Sequence, residues 1–188
     1  MWRSATSSEA ARAAGALLVA LAAAAGSAAG TTLISAAQAL HLAFPGGTVR
    51  REVRYLTPEQ IRRAERLSGE TVPSALVTRY RVTKDGKVLG FGYLDTHRVR
   101  TLPETLLVIV DGSGRLLRVE VLAFREPRDY LPRRRWYDQF AGRRLDGELK
   151  LQRGIRMMTG ATLTSRATTA AVRRVLALHA VLGGGEAR

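Results

Sequence analysis

An α+β fold is predicted by three observations. Two pairs of alternating segments close through tight turns, a long amphipathic helix follows near the carboxyl end, and a charge-free apolar stretch near the amino end adds a hydrophobic helix. The chain has 188 residues, 46% of them hydrophobic, which is one domain's length with enough apolar material for a core.

The amino-terminal stretch comes first. Residues 13–49 contain no Lys, Arg, Asp or Glu, and the first half is nearly all Ala, Leu, Val and Gly behind Arg3 and Arg12. A helix needs roughly 20 apolar residues to span a bilayer, so the run is long enough. It reads as a membrane anchor continuing through Leu33, Ile34, Leu40 and Leu42, or as a signal cleaved near Gly26, Ser27, Ala28 and Ala29. Its extension past any cleavage point favours the anchor. A buried Ala-rich helix of a cytosolic domain is the weaker third reading, because so long a charge-free run is rare in soluble folds. Residues 1–44 are therefore assigned to the anchor or signal, and residues 49–183 to a folded domain that starts after Pro45, Gly46 and Gly47. The expected location is the cell membrane with the domain on the extracytoplasmic side, or the periplasm or medium after cleavage.

Within the domain, Thr57, Pro58 and Gln60 form an N-cap, a first-turn proline and a capping box, with Ile61 and Leu67 as apolar contacts and Gly69 as the stop. From Ala75 the pattern alternates, placing Leu76, Thr78, Tyr80 and Val82 on one face. Lys84-Asp85-Gly86-Lys87 then turns the chain into residues 88–93. Residues 106–110 and 116–123 flank a second turn at residues 111–114, so the expectation is an antiparallel sheet of two hairpins packed with helices. Residues 126–142 are irregular, with one or two helical turns at 136–140. A terminal helix over residues 165–182 carries Val172, Val175, Leu176 and Leu178 inward and Arg166, Arg173 and Arg174 outward, and residues 183–185 fray.

Composition excludes several chemistries. The absence of Cys removes disulfides, thiolate metal sites and cysteine nucleophiles, so any redox chemistry has to come from a bound cofactor. Three histidines, His41, His97 and His179, are too scattered for a metal centre, and none is assigned. The formal charge is +14, and 27 of the 30 basic residues are Arg. The Arg133-Arg134-Arg135 block lacks the interleaved aromatics of a single-strand binder, so nucleic acid is not an expected partner. A solvated face is the simpler reading, with anionic headgroups beside the anchor as a second use.

The segment that stands apart is residues 158–165, in which Thr159, Thr162, Thr164 and Ser165 surround Gly160-Ala161 just before the helix. First-turn amides and the helix dipole favour an anion at such a place, while Thr164 or Ser165 as an ordinary N-cap is an equally good reading of the residues. Thr159-Gly160-Ala161-Thr162 resembles the Ser/Thr-Gly-Ala-Thr signature of the FMN-binding domain found in flavin subunits of Rnf-type and sodium-pumping NADH:quinone reductase complexes and in free-standing exported flavoproteins. The resemblance covers roughly the last half of the chain. It includes Thr96-His97, Thr101 to Thr105, the Gly112-Ser113-Gly114 turn, Glu126-Pro127, Leu131, Trp136, Phe140 and Gly142.

The resemblance implies FMN as cofactor, joined from FAD by a flavin transferase to the hydroxyl of Thr162. Taken with the geometry of a phosphoester at this helix end, it gives a cofactor-binding set of Thr162, Thr159, Gly160, Ala161, Thr164, Ser165, Glu104, Glu126, Tyr130 and Trp136. Tyr130 or Trp136 is the expected stacking partner, while a satellite core under the loop is the commoner role of such an aromatic cluster. The resemblance also implies an electron carrier with a membrane redox partner and no catalytic residue of its own, rather than a stand-alone enzyme. Two departures stand out: Arg156 occupies the position where the family usually has Asp, and the family's Gly-rich loop is replaced by residues 128–132. Noncovalent FMN and a non-redox adaptor or sensor are the alternatives. His97 reads as a structural strand residue in preference to a proton donor.

Overall fold

The computed structural model describes residues 31–183. The anchor or signal reading of residues 1–30 and the end beyond Gly183 lie outside the described residues. The elements are β1 (Thr31–Thr32), α1 (Ala36–Ala43), β2 (Thr48–Tyr55), α2 (Pro58–Ser68), β3 (Leu76–Lys84), β4 (Lys87–Arg98), β5 (Pro103–Asp111), β6 (Leu116–Phe124), α3 (Arg134–Tyr137) and α4 (Thr162–Val181). Short 3-10 turns at Arg128–Tyr130 and Asp138–Phe140 flank α3.

The α+β class is as expected, but the sheet is larger than two hairpins. Six strands pair in the order β1-β6-β5-β4-β3-β2, all antiparallel, so β2 to β6 form one continuous meander. Strand β2 escapes a reading of hydrophobic alternation because its sequence, TVRREVRY, is mostly exposed and rich in Arg, as edge strands often are. The first hairpin turn has Asp85 at φ 51° and Gly86 at φ 76°, the two positive φ values of a type I′ turn.

The sheet is covered on both faces. Ala39, Leu40 and Phe44 pack on Val82, Leu107 and Ile109 on one face. On the other, Val77, Phe91, Tyr93, Leu106, Val108 and Val110 meet α2, α4 and the chain between β6 and α4. The uninterrupted apolar run of β5 follows from this, since a strand buried on both faces has no polar side. On β3 the face of Tyr80 and Val82 lies under α1, whereas Leu76 lies outside its cover and is exposed.

The packing of α1 corrects the amino-terminal assignment. Residues 35–44, expected to continue an anchor, are part of the folded domain. Ser35 and Gln38 form a capping box, and Leu40 is fully buried, so the domain starts well ahead of Val49. Leu33 and Leu42 are exposed. The seat is cut by glycine: a Cβ on Gly92 would lie 2.8 Å from Leu40 Cδ2, and one on Gly90 would overlap the Phe44 ring and the Val110 carbonyl. Among the described residues no helix is long and apolar enough to cross a membrane.

Helix α2 has the predicted Thr57–Gln60 capping box and ends at Gly69 in the left-handed conformation. Helix α4 starts three residues earlier than its hydrophobic pattern suggests. Two of its arginines are also buried, contrary to expectation, because the protein supplies partners. Arg173 donates to the carbonyls of Ser68, Asp146 and Leu149, and Arg174 grips Asp95 through Nε and Nη2, both at 2.9 Å. Arg166 is exposed, as expected.

Candidate functional site

Helix α4 begins at Thr162 with Ala161 as its N-cap, and no side chain caps it. The first bond of the helix runs from the Ser165 amide to the Ala161 carbonyl, so the amides of Thr162, Leu163 and Thr164 are left for another acceptor. Gly160, at φ 82°, makes the turn that aims this end, and a side chain there would pay the strain of the left-handed region.

The uncapped end forms one wall of a cleft of about 180 Å3 lined by Val99, Arg100, Glu126, Tyr130 and residues 160–164. Three separate stretches thus meet: the Thr-Gly-Ala-Thr turn, the loop after β6, and the tip between β4 and β5. The tip is built by Glu126. Its Oε1 accepts from the amides of Thr101 and Leu102, both at 2.7 Å, and from that of Arg100 at 3.2 Å. The Leu102, Thr101 and Arg100 amides together hold the Glu126 carboxyl below the usual carboxylate range. The Thr164 hydroxyl donates to the Tyr130 carbonyl at 2.6 Å and fastens the loop to the helix.

The candidate residues separate into groups. Gly160, Ala161, Thr162, Thr164, Glu126 and Tyr130 line the cleft. Ser165 does not; its hydroxyl is spent on the Ala161 carbonyl at 2.9 Å and the Met158 amide at 3.3 Å. Thr159 faces a second groove of about 520 Å3 with Arg133, Arg135, Trp136, Gln139, Arg156, Met157 and Met158. Trp136 is otherwise a core residue, edge-on to Tyr137 and Phe140 and bonded through Nε1 to the Arg156 carbonyl at 2.7 Å. Of the two aromatics considered for stacking, only Tyr130 lines the cleft. Arg156 is exposed, and its backbone is also tied to Gln139.

Glu104 lies away from the cleft, fully buried at the base of the β4–β5 tip. Its Oε2 accepts from His97 Nε2 at 3.1 Å and from the Thr168 hydroxyl at 3.3 Å, while Oε1 has no partner among the described residues. His97 Nδ1 meets Asp95 Oδ1 at 2.9 Å. Burial disfavours charge on His97, but Asp95 and Glu104 outweigh it and raise its pKa to about 9. Asp95 is likewise held below its ordinary value, burial being outweighed by His97 and Arg174. Val99 and Arg100 are cleft residues that were not singled out, because only the fold brings them to the helix end, and Leu163 joins them from within the 158–165 segment.

An α+β domain with an anion-seeking helix end opening on a cleft defines a binding module for a phosphorylated cofactor. Residues 102–177 match the FMN-binding domain, the family that the Thr-Gly-Ala-Thr signature resembles. The match runs from the tip of the β4–β5 hairpin to four residues short of the end of α4. The chain is an FMN-binding flavoprotein, with FMN the cofactor that this domain indicates. No curated protein and no solved structure matches the chain.

Proposed function

We propose that the chain is an exported, membrane-anchored electron carrier whose FMN is ester-linked to the hydroxyl of Thr162. The observation that carries the reading is the uncapped end of α4, where Thr162 stands in the first turn and on the cleft wall at once. The first-turn amides and the helix dipole hold the phosphate, and Gly160 keeps the approach open, with nothing within 4 Å of a Cβ built there. At about 180 Å3 the cleft is smaller than the roughly 300–1,000 Å3 that enclose a drug-sized ligand, so it takes the phosphate end and leaves the ring against exposed Tyr130 and Leu163. FMN supplies one- and two-electron chemistry; the protein supplies position and field. Arg100 on the cleft wall favours the negative charge gained on reduction. Attachment falls to a flavin transferase, and the electron partner to a membrane protein, consistent with the part of the charge-free run that precedes the folded domain, residues 13–30.

The test is the intact mass of full-length protein co-expressed with a flavin transferase. One FMN increment is expected in the wild type and none in Thr162→Ala. Labelling that persists in Thr162→Ala, or that maps to Thr159, Thr164 or Ser165, overturns the ester assignment. FMN that is bound but lost on denaturation replaces it with noncovalent binding.

A further inference from the structure

Beneath the cleft, its two walls are cross-linked by a single buried polar unit. His97 and Glu104 are directly paired residues at the end of β4 and β5, one pair before the tip that supplies Val99 and Arg100 to the cleft. Across from them, α4 supplies Thr162 and Thr164 to the other wall. Little more than a turn further along, Thr168 donates to Glu104, and nearly two turns beyond that Arg174 grips Asp95. Asp95, Glu104 and Arg174 are each less than a tenth exposed. Both ring nitrogens of His97 meet carboxylates, so both serve as donors and the ring is an imidazolium.

We infer that Asp95, His97 and Glu104 are positioning residues for the flavin: with His97 charged, they tie the β4–β5 tip to α4 and so fix the gap between the cleft walls. This rests on FMN occupying the cleft. Charge balance explains why the histidine is needed. Asp95 from β4 and Glu104 from β5 face His97 from β4 and Arg174 from α4, two anions against two cations. The remaining groups against Glu104 are the neutral Thr168 hydroxyl and Tyr137 from α3. Burial, followed by the charge of Glu104, pushes the Tyr137 phenol upward, so it stays neutral and leaves the balance of two against two unchanged. Without the imidazolium, Glu104 is a buried anion with one oxygen already unpartnered, and the tip above it loses its footing. The raised pKa of about 9 means that the unit is assembled throughout the neutral range.

The experiment is amide hydrogen exchange on the flavin-free full-length chain at pH 7, comparing the wild type with His97→Gln, His179→Gln and the double variant His97→Gln/Glu104→Gln. In His97→Gln, exchange at Arg100, Thr101 and Leu102 should quicken by about tenfold or more while β2 and β3 are unchanged. His179→Gln, which disturbs a buried histidine at the other end of α4, should leave the tip as in the wild type. The double variant removes the stranded charge and should recover much of the protection. An unchanged tip in His97→Gln, or a tip equally loosened by His179→Gln, overturns the inference. A parallel titration with FMN, read by flavin fluorescence, should show weaker binding by His97→Gln. Equal binding by wild type and variant also overturns the inference, whereas a wild type that binds no FMN counts against the function and leaves the exchange result to judge the positioning role.

Discussion

His97, partly buried on β4, and His179, buried on α4, are driven in opposite directions by their surroundings. At the cleft end His97 lies between two carboxylates, and its pKa rises to about 9. Toward the far end, His179 Nδ1 shares a hydrogen bond with the Tyr93 hydroxyl at 3.0 Å, and the Tyr93 oxygen accepts from Arg79 at 3.4 Å. The rings of Phe91 and Tyr93 lie edge-on to His179, at 5.5 Å and 5.8 Å. Burial, then the charge of Arg79, lowers the His179 pKa to about 4, so this ring is neutral. Burial opposes charge at both sites, so the contrast teaches that the partners decide. Strand β4 offers Asp95 to Arg174 and Tyr93 to His179, five residues further along the helix. The same residue type therefore builds a charged cross-link under the cleft and a neutral plug away from it.

The most damaging way to probe this contrast is to remove one arginine from each end. Arg174→Met leaves Asp95 buried with only His97 for a counter-charge, and a broken buried pair costs about 3–5 kcal/mol. Arg79→Met removes a side chain that is even more buried, but its partner Glu52 is 18% exposed and keeps Arg81 at 3.1 Å. Its loss should be about 1–2 kcal/mol. Urea unfolding of the two variants measures both, and equal losses would mean that the two networks do not differ in the way described.

Stability against pH should show both histidines, with opposite signs. The raised pKa of His97 contributes stability that is complete below its unfolded value of 6.5 and is lost as pH rises through about 9. The lowered pKa of His179 contributes stability that is complete above 6.5 and is lost as pH falls through about 4. Each limb is of order 3 kcal/mol, so the optimum should fall near neutrality. Asp95, Asp111 and Glu126, all held below their ordinary values, add a further loss at more acid pH, below the window of His179. Urea midpoints across pH should lose the alkaline limb in His97→Gln and the limb between pH 6.5 and 4 in His179→Phe. A wild-type profile flat between pH 7 and 9 would show that His97 carries no such charge.

What the sequence disclosed depended on whether the signal was local. Thr57-Pro58-x-Gln60 and Asp85-Gly86 fix their own backbone through adjacent side chains, and both were legible to the residue. Strand β2 was not, because its apolar residues are few and its pairing is dictated by β3. Nor was α1, whose Ala-rich sequence reads as part of an apolar run until the two glycines of β4 supply its seat. At the site, the Thr-Gly-Ala-Thr turn, Glu126 and Tyr130 were legible as residues, though not the work of Glu126, which organises amides of a loop some 25 residues away in sequence. The burial of Arg174 depends on Asp95, a residue 79 positions earlier, and no periodicity in α4 reports that.

The smallest effect concerns the two helix starts. Thr57 caps α2, accepting from the Gln60 amide at 3.1 Å while Gln60 accepts from the Thr57 amide at 2.9 Å. Thr162, in the first turn of α4, serves no such role, since the N-cap position belongs to Ala161 and no side chain caps the helix. Thr57→Ala should therefore cost about 1 kcal/mol of stability. Thr162→Ala in the flavin-free chain should fall within about 0.5 kcal/mol of wild type, as for a residue outside any cap or core contact. The same change should abolish flavin attachment, which separates a hydroxyl kept for folding from one kept for a cofactor. A Thr162→Ala loss in urea unfolding as large as that of Thr57→Ala would make Thr162 a structural residue of the helix and remove the reason for its position at the open end of α4.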